Sequence, residues 1–292
     1  IIHYFFPWPF ADLLHRLMCP AKPTLMTYVS DIVRQQRMGY LYAPLMRHTL
    51  KSMTAVVANC PAYVKSSSIL SSSLVGNRLT VIPLGINEES YATQEDVRIF
   101  ERLGIQSHHP FFLFIGALRY YKGLTYLIEA AKQVAAPVVI VGTGAEESKL
   151  HCQAKITGAN NIVFAGSVSH AEKITLLRQC RALVLPSHLR SEAYGMVLIE
   201  AAMQGRPQIS CEIGTGTSWI NLDNKTGLVV EPENPAALAT AMKRLLYNSS
   251  EANALGRGAR DRYERYFSGS RTGEDYVRLY QQLVCGFSVP RP

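Results

Sequence analysis

The feature that most constrains this chain is a recurring pair: a short apolar run closed by Gly, Pro or Ser, then a longer segment of mixed polarity. From Pro110 onward the runs read PFFLFIG, PVVIVG, NIVFAG, ALVLPS, RPQIS and GLVV. An unbroken apolar run of strand length suits a strand buried on both faces, as in a parallel sheet. Parallel neighbours need crossover connections, and the intervening segments supply them as helices. GLTYLIEAAKQVA reads as an amphipathic helix, and ENPAALATAMKRLLYN as another with Pro235 near its start. The sequence thus predicts an α/β chain with a nearly complete doubly wound region over residues 110–274. A tail of residues 275–292 follows, whose Tyr276, Leu279, Tyr280 and Leu283 fall at helical spacing.

A second, smaller α/β region precedes it. KPTLMTYVSD reads as a strand and its exit, and a helical stretch runs from Arg34 to Ser52. TAVVANC is a short buried strand, AYVKSSSILSSSL a polar helix or turn, and RLTVIPLG a closing strand. About three strands in residues 1–86 are few for a sheet that must be covered on both faces. Together with Ile1 in the first position, this creates the expectation of a chain that continues upstream. Residues 87–109, polar and holding His108 and His109 side by side, are expected to link the two regions.

Composition narrows the partners. Hydrophobic residues at 48% against charged residues at 18% favour a packed globule over a disordered chain. A net charge of +8 suits an anionic partner, whether nucleic acid, an acidic membrane face or a phosphorylated small molecule. Neither an aromatic-basic RNA motif nor a helix-turn-helix pattern appears, so nucleic acid is not expected. No run approaches the roughly 18 apolar residues of a membrane span. The opening IIHYFFPWPFADLLHRLM lacks the basic start and small-residue cleavage site of a signal peptide. The six cysteines form no C-x-x-C pair and no metal spacing with His. They read as reduced core thiols of a cytoplasmic protein, Cys180 and Cys211 lying in or beside apolar stretches.

Chemistry concentrates at strand ends. In doubly wound folds ligands bind at the carboxyl ends of the strands. Gly116 closes one strand and is followed by Arg119, Lys122 and Gly123, while Gly142 and Gly144 follow another. Glycines there admit a phosphate close to the backbone, and cations offset the charge that builds on a departing diphosphate. The strongest local signal is PSHLRSEAYGMVLIEAAMQG. Glu192 lies in a loop, Gly195 opens a helix, and Glu200 sits inside it. The first amides of that helix, at Gly195, Met196 and Val197, are free to hold phosphate oxygens. A carboxylate at Glu200 can accept two hydrogen bonds from a ribose diol.

In this array the chain resembles the large retaining glycosyltransferase family with two Rossmann-like domains, family 4 of the GT-B fold. The resemblance covers nearly the full length. It rests on the strand ending in Gly116, Lys122–Gly123, the spacing of Glu192 and Glu200, GRP at Gly205 to Pro207, and TGLVVEP at Thr226 to Pro232. It implies Glu192 facing the donor sugar, Glu200 on the nucleotide ribose, Lys122 and Arg119 on the diphosphate, and Gly166 to Val168 against the base. IIHYFFPWPFADLL resembles the acceptor-facing strand and turn, and VIPLGIN the hinge strand. SHLRSEAYG with SCEIGTGTSWIN looks like bacterial enzymes that use GDP-mannose or a related GDP-sugar in O-antigen synthesis on a lipid-linked glycan. The implied mechanism is front-face attack, with neither metal nor cofactor.

Three positions depart from the family pattern. Ala117 stands where Arg is frequent, Val29 where His is common, and Phe5 in place of another His. The glycine-rich first loop of the family is absent. Valine donates no hydrogen bond, so the alternative is a nucleotide-sugar-binding homologue or fragment with impaired catalysis. A nicotinamide-dependent dehydrogenase would need a third glycine after GTGAEE. Arg34, Arg37, Arg47 and Lys51, spaced among Tyr, Leu and Met, fit either a solvated helix or contact with an anionic membrane face at the inner side of the cytoplasmic membrane.

Overall fold

The protein, seen as a computed structural model, is described over residues 1–32 and 36–286, with the backbone alone for 36–40. Strand β1 (Ile2–Phe6) leads into α1 (Pro9–Met18), β2 (Thr24–Tyr28), α2 (Gln36–Ser52), β3 (Ala55–Ala58), α3 (Pro61–Ser66) and β4 (Leu79–Val81). After α4 (Arg98–Arg102) come β5 (Phe112–Ile115), α5 (Leu124–Ala131), β6 (Val138–Val141), α6 (Glu147–Thr157), β7 (Ile162–Gly166) and α7 (His170–Gln179). Then follow β8 (Ala182–Leu185), α8 (Met196–Met203), β9 (Gln208–Cys211), α9 (Gly216–Ile220), β10 (Gly227–Val230), α10 (Pro235–Tyr247), α11 (Ser249–Tyr266) and α12 (Gly269–Cys285).

Every apolar run singled out above is a strand, and all ladders within the two sheets are parallel. The first sheet has the order β1-β2-β3-β4 and the second β10-β9-β8-β5-β6-β7. The first region therefore holds four strands rather than about three. β1 lies at the sheet edge with Phe5 exposed. Its run IHYFF is interrupted by His3, and only the family resemblance of IIHYFFPWPFADLL marked a strand there.

In the second sheet the strand order reverses between β5 and β8. Crossover helices leave to opposite sides there, so a crevice opens at the carboxyl ends of this pair. The core beneath is continuous: Phe112, Leu113 and Phe114 of β5, Val138 to Ile140 of β6 and all of β8 are buried.

Two segments carry more structure than the sequence announced. Residues 87–109 join the two regions. They carry a 3-10 turn over Glu88–Tyr91 and helix α4, and are fastened across α7. Asp96 N–H donates to Thr175 Oγ1 at 2.9 Å, and Arg178 donates to the carbonyls of Tyr91 and Thr93. Helix α12 starts at Gly269, ahead of the expected boundary at residue 275, because Ser268 caps it by accepting from Arg271 N–H. Its predicted apolar stripe covers the first sheet, not the second: Leu279 packs with Leu25, Ala55, Val57 and Ile82, and Tyr276, Tyr280 and Leu283 surround them.

Cys60, Cys180 and Cys211 are buried thiols, and burial pushes Cys180 and Cys211 up to about 12. Cys19, Cys152 and Cys285 are exposed, against the expectation of core thiols. Two of the three lie on helix faces turned to solvent and the third caps α1.

Candidate active site

The crevice between β5 and β8 is where Lys122 and Glu192 meet. The turn after β5 carries Lys122 and the loop after β8 carries Glu192. Lys122 Nζ lies 2.5 Å from Glu192 Oε2, with both side chains largely buried. Ser187 Oγ donates to the same carboxylate oxygen at 2.9 Å. Local sequence makes the approach possible. Gly123 has φ +69°, and a Cβ there would run into the Pro186 carbonyl just past β8. His188 N–H donates to the Tyr121 carbonyl at 3.0 Å, joining turn to loop. A charge pair so far out of water is costly to break from one side, since the remaining partner is left uncompensated.

The neighbouring strand ends bring three of the candidate glycines together. Gly116 N–H donates to the Val141 carbonyl at 3.0 Å, and Gly142 N–H to the Gly166 carbonyl at 2.8 Å. Gly142, at φ +126°, turns the space of a missing Cβ onto the Gly116 carbonyl, so no other residue fits there. Lys122 Nζ lies 3.7 Å from where a Gly116 Cβ would be. Gly144 abuts the backbone of Leu118, and Val168 is half-buried after β7. Arg119 and Ala117 are both exposed beside this group.

Gly195 caps α8 in the left-handed conformation, φ +90°, and Met196 and Val197 form its first turn. Glu200, further along, is half-buried and not solitary. Lys173 Nζ on α7 donates to both its oxygens, at 3.2 and 3.1 Å, and Tyr91 Oη donates to Oε1 at 2.8 Å. The ring of Tyr91 lies under the Lys173 ammonium, 4.9 Å from it. Burial and the facing carboxylate hold the Tyr91 phenol well above the usual range. Ser187, Lys173 and Tyr91 are the residues that sequence reasoning missed. Lys173 carried one usable signal, its place in the first turn of a helix opened by a Ser169–Glu172 capping box right after Val168. Tyr91 carried none, since it lies in an aperiodic segment.

The first sheet supplies the opposite wall. Val29 follows β2, its N–H donating to the Phe6 carbonyl at 3.0 Å. Two residues on, Asp31 Oδ1 accepts from Tyr28 Oη and Ser67 Oγ, both at 2.8 Å. Its Oδ2 accepts from Arg190 of the Glu192 loop at 3.1 Å. Arg190 also donates to the Gly214 carbonyl and lies over the Tyr63 ring. Phe5, the other position where a family His is replaced, stacks on His3 with ring centroids 4.6 Å apart.

Of the basic series proposed to meet a membrane, Arg34 lies outside the described residues, as does the side chain of Arg37. Arg47 and Lys51 line a cavity of about 800 Å³ with Arg78, Ser68 and Ser72. Among the described residues no helix is long and apolar enough to cross a membrane. Among them, too, no cluster of three or more His, Cys, Asp or Glu side chains is arranged to hold a metal ion.

Comparison with known proteins places this geometry. Residues 96–262 match the family model described as glycosyl transferases group 1. The O-antigen chain mannosyltransferase C of Escherichia coli is 43% identical over 97% of this chain and 76% of its own length. The D-rhamnosyltransferase WbpZ of Pseudomonas aeruginosa is 45% identical over 92% of this chain and 70% of its own. Among solved structures, sucrose-phosphate synthase of Thermosynechococcus elongatus superposes with a TM-score of 0.81 at 21% identity, over 98% of this chain and 74% of that one. Anabaena HepE in complex with UDP gives 0.81 at 16% identity, over 96% and 79%.

Two lobes of parallel strands with a crevice at the switch point of the second make the GT-B fold. The chain belongs to the glycosyl transferases group 1 family.

Proposed function

We propose that this chain moves a hexose, mannose from GDP-mannose or a related GDP-sugar, onto a lipid-linked glycan of O-antigen synthesis, with retention at the anomeric carbon. The observation that carries the reading is the buried Lys122–Glu192 pair at the switch point, with the start of α8 beside it. Lys122 and the exposed Arg119 offset charge on the departing diphosphate, and the amides of Gly195, Met196 and Val197 add oriented dipoles. Gly116, Gly142 and Gly144 admit the phosphates, and Gly166 to Val168 face the base. Glu192 accepts hydrogen bonds from sugar hydroxyls, and Glu200 from one hydroxyl of the ribose diol. In front-face transfer the bond from anomeric carbon to phosphate oxygen breaks. The acceptor oxygen bonds the same face, and its proton passes to the leaving diphosphate. Positioning and electrostatics suffice, and no protein nucleophile takes part.

The mannosyl- and rhamnosyltransferase names of the two relatives support the sugar class and the pathway. Residues 1–86 form the acceptor side and 110–274 the donor side of the transferase. Arg47 and Lys51, facing one cavity, suit contact with the anionic inner face of the cytoplasmic membrane, where a lipid-linked acceptor resides.

A second reading, nucleotide-sugar binding without transfer, is favoured by Val29, whose side chain offers no donor at a position where the family commonly has His. A thermal-shift panel of GDP-, UDP- and ADP-sugars tests donor binding. A GDP-sugar raises the melting temperature most, and Glu200→Ala removes the rise. Transfer assayed on a lipid-linked acceptor separates the two readings. Equal shifts with and without the Glu200 carboxylate would contradict the ribose assignment.

A further inference from the structure

We propose that Tyr91, from the segment joining the two lobes, is a positioning residue for the nucleotide ribose, acting through Glu200. The proposal rests on the reading of Glu200 as the diol-binding carboxylate and adds the group that aims it.

A glutamate side chain turns about three bonds, and a free carboxylate would present its oxygens in many directions. Here its donors are fixed. Oε1 accepts from Tyr91 Oη at 2.8 Å and from Lys173 Nζ at 3.2 Å, so both of its lone-pair directions are engaged. Oε2 accepts from Lys173 at 3.1 Å and keeps one direction open. Of the two donors, Tyr91 is the rigid one. The residue is 8% exposed, its ring packed 5.3 Å from the His170 ring and 4.9 Å from the Lys173 ammonium. Its backbone is held as well: Arg178 donates to its carbonyl at 3.3 Å, and His170 Nε2 lies 2.8 Å from the Ser90 carbonyl. Lys173 ends a flexible four-carbon stem, and alone it would let the carboxylate swing with it. With the phenol in place, the open direction on Oε2 is held ready for a ribose hydroxyl, and binding need not order it first.

The test compares binding of GDP with that of 2′,3′-dideoxy-GDP, and UDP with its dideoxy form, by calorimetry on the full chain. The ribo-to-dideoxy affinity ratio reads the diol contact alone and is internal to each variant, so altered folding does not confuse it. Tyr91→Phe removes one hydroxyl. It is expected to weaken the ribonucleotide three- to tenfold, leave the dideoxy form nearly unchanged and narrow the ratio accordingly. A tyrosine with only a packing role would weaken both forms alike or neither, and either result overturns the proposal, as would tighter ribonucleotide binding. Glu200→Ala separates the two levels. If it collapses the ratio while Tyr91→Phe does not, the positioning role falls and the ribose assignment stands. If Glu200→Ala leaves the ratio at its wild-type value, the assignment fails and the proposal with it. Binding of neither nucleotide by the unaltered chain overturns both.

Discussion

Arg190 reaches across the crevice to Asp31, Nη2 to Oδ2 at 3.1 Å, and so ties the loop that bears Glu192 to the exit of β2. Asp31 is fully organised for this contact by Tyr28 and Ser67, and Arg190 by the Gly214 carbonyl. The pair is partly exposed, so solvent screens it and its direct contribution to stability is modest. Its larger effect is on the spacing of the two walls. Asp31→Asn and Arg190→Gln are each expected to lower the rate of transfer, and the double variant to fall no further than the worse single. A coupling energy on the order of 1 kcal/mol from the double-mutant cycle checks this. Strict additivity would show that the contact does not act as a unit.

Lys122 carries the second prediction. Lys122→Ala should lower kcat by about 10²–10³-fold, the usual effect of removing one group that stabilises developing charge. It should also destabilise the fold, because among the described residues Glu192 then keeps only Ser187 as a side-chain partner in a buried setting. Lys122→Ala combined with Glu192→Gln is expected to recover melting temperature but not activity. Steady-state kinetics with GDP-mannose beside thermal melts distinguish the two effects.

Gly123 bears on stability and site geometry together. At φ +69°, with the Pro186 carbonyl against the position of a Cβ, alanine must displace the Lys122 turn. Left-handed strain alone costs about 1–2 kcal/mol, and the clash adds to it. Gly123→Ala should therefore lower the denaturation midpoint and weaken the Lys122–Glu192 contact, seen as a fall in kcat. A variant with wild-type stability and rate would show that the loop after β8 yields freely.

Asp12, on α1, gives a pH dependence. It is 1% exposed and accepts from Tyr42 Oη, and burial raises it from 3.8 to about 7. The unfolded chain loses this proton near the ordinary carboxylate value, while the folded chain holds it to about 7. Between the two, folding takes up a proton, so this contribution is full at low pH and is lost as pH rises through about 7. Asp12→Asn keeps an acceptor for Tyr42 without the charge. It should flatten that decline and be the more stable protein at pH 8 by on the order of 2 kcal/mol. Melts at pH 5 and pH 8 measure it, and parallel curves for the two proteins would remove Asp12 as the cause.

Much of this molecule was legible along the chain, for a physical reason. A parallel strand buried on both faces is largely apolar, so β5, β6 and β8 announce themselves in PFFLFIG, PVVIVG and ALVLPS. Glycines and charges at strand ends mark the ligand side of such a sheet, and that logic singled out Lys122 and Glu192 as candidates. β1 was marked only by the family resemblance of IIHYFFPWPFADLL, because His3 interrupts its apolar run. The stripe of α12 was visible as helical spacing, but spacing names a buried face without naming what buries it.

What the sequence determined by itself is local: element type, the apolar faces and the chemical groups available at each strand end. Only the tertiary structure decided partners. α12 leaves the second sheet to cover the first, Arg190 finds Asp31 across 159 positions, and Tyr91 finds Glu200 across 109. Periodicity reports how one element meets a generic interior. Which two distant side chains share a hydrogen bond depends on strand order and crossover path, and no single segment encodes either.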